Sequence, residues 1–90
     1  MITLRLPRPL WQYAQGEKEI RLTAESLREA LARFREQHPQ AYERMITEGG
    51  ELRTHVNIFV NRDLVRVLDG PQAQLKPGDV VTIIPAISGG

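Results

Sequence analysis

The residues best placed to take part in chemistry are the last ones, Gly89 and Gly90, preceded by Ile87 and Ser88. A glycine has no Cβ, so its backbone can pass through a slot too narrow for a side chain. The reactive group at such an end is the α-carboxylate of Gly90, offered unhindered to an enzyme that closes around it. With glycine near 7% of residues on average, a terminal pair arises by chance in roughly one chain in two hundred. Position adds to that signal: the pair caps no helix and closes no turn, but follows directly from a strand that reads as central.

No other constellation competes. The absence of cysteine removes a disulfide framework, a thiolate metal site and a cysteine nucleophile together. His38 and His55 are the only histidines and lack the spacing of a metal pair, so they read as the polar end of a helix stripe and as a strand-edge residue. Ser26 and Ser88 have no nearby histidine and acid in sequence, and neither Gly49-Gly50 nor Gly70 sits in a phosphate-loop context. We therefore expect no catalytic residues and no metal of its own. The chain reads as a substrate or carrier for other enzymes.

The elements that position this end follow from periodicity. Val80 to Ile84 is a β-branched run broken by Thr82 and introduced by the turn sequence Lys76-Pro77-Gly78-Asp79, which predicts a strand starting near Asp79. Pro85 marks where its pairing should stop. Residues 86–90 are then a flexible tail able to reach about 15–18 Å from a domain spanning 1–85. Ile2, Leu4 and Leu6 alternate as a first strand ended by Pro7, and Ile20 and Leu22 alternate as a second. The connection between them reads as a loop in which Trp11 and Tyr13 fold back as a lid on a small core.

Thr23 is the expected helix N-cap, with Glu25 in the first turn. Leu27, Ala30, Leu31, Phe34 and His38 form one apolar stripe, Glu29 and Arg33 stand in the favourable i, i+4 order, and Pro39 ends the helix. Ala41, Tyr42, Met45 and Ile46 suggest a second short helix before Gly49-Gly50. Val56, Ile58 and Val60 define a third strand, and 64–67 a short fourth. One amphipathic helix covers one face of a four- or five-stranded sheet, an α+β arrangement whose other face meets water or a partner. With Val81 and Ile83 inward, Ile84 shares the open face with Thr82. With Val56, Ile58 and Val60 inward, Phe59 turns outward, making Phe59 and Ile84 a candidate docking patch.

Ninety residues is enough for a single small core. A net charge of +1 with interspersed signs argues against a nucleic-acid binder. Neither a signal peptide nor an apolar run long enough for a membrane span is visible, so a cytoplasmic location is expected.

The order of elements, the segment Val56-Asn57-Ile58-Phe59-Val60-Asn61, and Gly78-Asp79 leading through Val81-Thr82-Ile83-Ile84-Pro85-Ala86 to the two glycines resemble the ubiquitin-like β-grasp sulfur carriers of the ThiS/MoaD family. The resemblance spans essentially the whole chain and implies a mixed sheet. It is greatest toward the CysO type of cysteine biosynthesis, which shares the strand pattern and a Pro-Ala-aliphatic-small-Gly-Gly ending. The small subunit of molybdopterin synthase tends to carry a second proline where Ala86 stands, and the thiazole-pathway carrier usually lacks the segment matching 38–53.

The resemblance implies that a ubiquitin-activating-like enzyme uses ATP to adenylate Gly90, that sulfur converts the acyl group to a thiocarboxylate, and that Gly89, Ser88 and Ile87 thread into the partner. The sulfur acceptor would be a pyridoxal-phosphate-dependent cysteine synthase followed by a metal-dependent peptidase, or the large subunit of molybdopterin synthase. A ubiquitin-like modifier joined to lysines through Gly90 would use the same tail, and a plain β-grasp interaction module would not need it.

Overall fold

Alternation along Ile2, Leu4 and Leu6 places all three in the core; the first two lie in β1 (Ile2–Arg5), the second of five strands in one mixed sheet, and Leu6 follows directly after it. The computed structural model describes residues 1–85. Residues 86–90, the expected tail, lie outside the described residues. The remaining strands are β2 (Glu19–Leu22), β3 (Val56–Val60), β4 (Asp63–Val65) and β5 (Val80–Pro85), in the spatial order β2-β1-β5-β3-β4. β1 pairs antiparallel with β2 and parallel with β5, while β3 pairs antiparallel with both β4 and β5. The last strand is thus central, hydrogen-bonded on both sides.

The β1–β2 connection is more ordered than a loop. Pro9 lies in the first turn of a short helix α1 (Arg8–Trp11), where the missing N–H costs nothing, and a 3-10 turn (Gln12–Ala14) follows. Trp11 folds back as expected: its indole Nε1 donates to the carbonyl of Leu6 at 2.8 Å, and both Trp11 and Tyr13 pack against the core.

The main helix α2 (Leu27–Gln37) starts later than Thr23. Glu25 accepts from the Leu75 amide at 2.9 Å, and Ser26 forms a bridge with Gln74, so 23–26 is held extended and its buried Ala24 cannot turn into a helix. Ser26 is the N-cap instead. Its hydroxyl accepts from the Glu29 amide at 3.1 Å, while the Glu29 carboxylate accepts from the Glu25 amide at 2.7 Å, closing a reciprocal cap. Leu27, Ala30, Leu31 and Phe34 are buried, and the His38 ring lies 5.6 Å from that of Phe34, tilted 50° to it. Glu29 and Arg33 pair at 3.8 Å as their spacing suggested.

Pro39 ends α2 and opens α3 (Pro39–Met45), which buries Ala41 and Met45 on the same side of the sheet. β4 is shorter than 64–67: after Val65 the chain swings away so that Leu68 enters the core and Asp69 meets Arg28 in a two-pronged pair of 2.7 and 2.8 Å. Among the described residues, no helix is long and apolar enough to cross a membrane.

Candidate functional site

The sequence directs attention to what lies past Pro85, and the structure describes how the chain is delivered there. β5 is seated by a clamp at its beginning. The Lys76–Asp79 turn needs Gly78 at φ +91°, a conformation open to glycine. The Asp79 carboxylate then accepts from the Lys76 amide at 2.8 Å and from the Asn61 side-chain amide at 3.1 Å. Those two donors, the backbone one first, hold the Asp79 carboxyl below the usual carboxylate range. Asn61 sits at φ 56° in the tight β3–β4 turn, tolerated by its short polar side chain. From there its Oδ1 accepts from the Val80 amide at 3.0 Å, and its own amide donates to the Val80 carbonyl at 2.7 Å.

Sequence reasoning placed Asp79 in the turn before β5 and Asn61 at the end of the Val56–Asn61 segment, and missed that they bond to one another. The Asx-prone types at both turns were the available signal. Five backbone pairings with β3, from Val60 opposite Val81 to Val56 opposite Pro85, then carry β5 to its end.

The sheet face away from the helices is open. Phe59 lies directly opposite Thr82 on one side and Leu64 on the other, and Ile84 lies opposite Asn57. Phe59 and Ile84 therefore share the face, as expected, but as a diagonal pair rather than a direct one. Ile84 is 43% exposed, whereas Phe59 and Leu64 are half-buried. Leu64, which the sequence reading placed in a strand without assigning it a face, extends the apolar strip. Toward β2 the strip gives way to charge, with Arg5 and Glu19 paired at 3.0 Å. Ile87, Ser88, Gly89 and Gly90 lie outside the described residues.

Beside Pro85, on the helix side, an open groove of about 920 Å³ is lined among others by Tyr13, Arg44, Arg53, His55 and Ile83. Arg44 lies 3.8 Å over the Tyr13 ring, and the Arg53 Nε donates to the Glu43 carbonyl at 2.9 Å. The end of β5 is thus flanked by an apolar strip on one face and a cationic rim on the other. Among the described residues, no group of three or more His, Cys, Asp or Glu could hold a metal ion.

Comparison with known proteins decides what kind of chain this is. The sequence pattern of the ThiS family matches residues 4–90. The chain belongs to the ThiS family. Within that setting it is 30% identical over 91 residues to the sulfur carrier protein CysO of Mycobacterium tuberculosis, covering 99% of this chain and 98% of the relative. The crystal structure of the Amycolatopsis orientalis BexX/CysO complex contains a chain that superposes with a TM-score of 0.87 at 29% identity, with complete coverage of both chains, 100% and 100%. Small archaeal modifier protein 1 from Haloferax volcanii superposes at 0.79 and 26% identity, covering 99% of this chain and 98% of the other. This ThiS-family protein is thus a ubiquitin-like β-grasp chain, and the proteins it is similar to are small carriers and modifiers rather than catalysts.

Proposed function

We propose that this protein carries sulfur as a thiocarboxylate on Gly90 and delivers it for cysteine biosynthesis. The observation that carries the reading is the placement of β5: a doubly paired central strand ends at Pro85, close before Gly89-Gly90, in a chain similar over its whole length to CysO.

A carboxylate at neutral pH is a poor electrophile. A ubiquitin-activating-like enzyme therefore uses ATP to adenylate Gly90, supplying a leaving group that sulfur displaces, and the resulting thioacid is an ionised, soft nucleophile. ATP belongs to that enzyme, and pyridoxal phosphate belongs to the synthase that receives the sulfur; a metal-dependent peptidase then frees cysteine. Gly89, Ser88 and Ile87 occupy the partner's channel, while Phe59 and Ile84, with Leu64 beside them, dock the body of the domain. Apolar side chains on a sheet face without a covering layer are the expected form of such a patch. The molybdopterin synthase large subunit is the alternative acceptor of the same group.

The test is the intact mass of the protein after incubation with its host's activating enzyme, ATP and a sulfide source. A gain equal to replacing one oxygen by sulfur, trapped by alkylation and absent when Gly90 is deleted, is the expected result. No gain with an enzyme active on another carrier overturns the reading.

A second reading, a modifier joined to lysines of other proteins through Gly90, is favoured by the likeness to small archaeal modifier protein 1. It predicts isopeptide conjugates in cells, which the carrier reading does not.

A further inference from the structure

Backbone chemistry that needs no enzyme becomes possible where an acidic side chain can close on the amide that follows it. Of the five Asp and Asn residues, Asp69 alone precedes a glycine; Asn57, Asn61, Asp63 and Asp79 precede Ile58, Arg62, Leu64 and Val80. A following side chain crowds the amide nitrogen, whereas Gly70 has no Cβ to do so.

The fold leaves the Asp69–Gly70 bond accessible. Both residues are exposed, in the bend between β4 and the 3-10 turn Pro71–Ala73. Gly70 stands at φ +98°, and a Cβ built on it would meet nothing within 4 Å. Its carbonyl accepts from the Ala73 amide at 3.1 Å, while its own amide donates to none of the described residues. Arg28 opposes the closure. Its Nε and Nη2 donate to the two Asp69 oxygens at 2.7 and 2.8 Å, which fixes the carboxylate's orientation and holds the carboxyl below the usual carboxylate range. An ionised carboxylate has no hydroxyl to lose. The Arg28 Nη1 donates to the Gly50 carbonyl at 3.3 Å, so the same side chain also ties in the 47–51 turn.

We propose that Asp69–Gly70 is a self-modification site, isomerising through a succinimide to isoaspartate, and that Arg28 is the positioning residue that restrains it. Once the carboxyl is protonated, the Gly70 nitrogen attacks Asp69 Cγ and a C–N bond forms. The Cγ–OH bond breaks, and the hydroxyl leaves with the nitrogen's proton as water. Water then opens the ring. Attack at Cγ restores aspartate; attack at the former main-chain carbonyl breaks its bond to nitrogen, so the backbone runs through Cγ and a free α-carboxylate remains. The chain is then one carbon longer at this point, and its carboxylate sits directly on Cα. Leu68 and Ala73 anchor the bend in the core on either side, so the displaced carboxylate loses the fork to Arg28. An exposed α-carboxylate of this kind is the group that isoaspartyl methyltransferases esterify.

The test incubates the full chain at neutral pH as wild type, Arg28→Met and Asp69→Glu, with folding followed by circular dichroism. Succinimide is read as the loss of one water, and isoaspartate by peptide mapping and by methyl transfer with an isoaspartyl methyltransferase. Isoaspartate should map to Asp69 and be absent from Asp69→Glu, whose longer side chain closes the ring poorly. The pair is exposed, its side chains 51% and 67% open to water, so the restraint is modest. Arg28→Met should modify about threefold or more faster than wild type. That ratio should shrink toward one on acidification, because protonation of Asp69 opens the fork in wild type as well. Tyr42 and Glu51 are the other charged or titratable groups acting on Arg28, and Arg28 alone acts on Asp69. A ratio that stays constant with pH is the mark of a merely loosened bend and overturns the proposal. So do equal rates in the two proteins, another residue modified first, or no isoaspartate at Asp69 in Arg28→Met.

Discussion

At the scale of single residues, the Asn61–Asp79 pair makes the β5 clamp a quantity that can be titrated. Asp79 is held ionised by the Lys76 amide and by Asn61. Its folded pKa is therefore depressed, so its contribution is present above the ordinary aspartate value of about 3.9 and is lost as pH falls through the folded value. Asp69, lowered by its hydrogen bond to Arg28, acts in the same direction. Urea midpoints measured near pH 6.5 and again near pH 2.5 should show wild type losing more stability on acidification than Asp79→Asn. At neutral pH Asp79→Ala should cost about 1 kcal/mol, because the bonds lost are charge-assisted but partly exposed to water.

The docking strip is a residue-scale matter too. Ile84→Asp places a charge in the strip at its most exposed position, so it should raise the KM of the activating enzyme about tenfold or more with little change in thermal midpoint, since a well-placed anchor carries about 1–2 kcal/mol. An unchanged KM would remove Ile84 from the patch.

At the scale of elements, the periodic signals were legible and the local ones were not. Leu27, Ala30, Leu31 and Phe34 gave the buried face of α2 from spacing alone, because removing an apolar stripe from water is the strongest force acting on such a helix and is written in the order of residues. Thr23 failed as a cap because 23–26 is paired to Gln74 and the Leu75 amide, partners about fifty residues away that no local window contains. The order of the β1–β2 connection was hidden for another reason: a four-residue helix and a three-residue 3-10 turn are too short to write a helical period into the sequence.

Two substitutions separate these contributions. Phe34→Ala empties a fully buried site and should cost about 3–5 kcal/mol by chemical denaturation, near the whole stability of a chain this size. Ser26→Ala, which removes only the cap, should cost about 1 kcal/mol, whereas Thr23→Ala should be nearly neutral.

At the scale of the molecule, the open and covered faces of the sheet could be assigned from the sequence, because two parities and one helix leave only that choice. The clamp and the cationic groove beside Pro85 could not, since each joins segments distant in sequence, and Leu64 could not because a three-residue strand is too short to show which parity is buried. The carrier reading makes its sharpest prediction here: a chain lacking Gly89 and Gly90 should keep its circular dichroism spectrum and melting behaviour while losing all ATP-dependent mass gain. The parallel pairing of β1 with β5, in which Thr3 lies beside Val80, also has a practical side. A bead, fluorophore or sensor chip attached through Met1 holds the protein by the pole opposite Pro85, so the working end faces outward and immobilised protein can be assayed against its enzymes without steric interference.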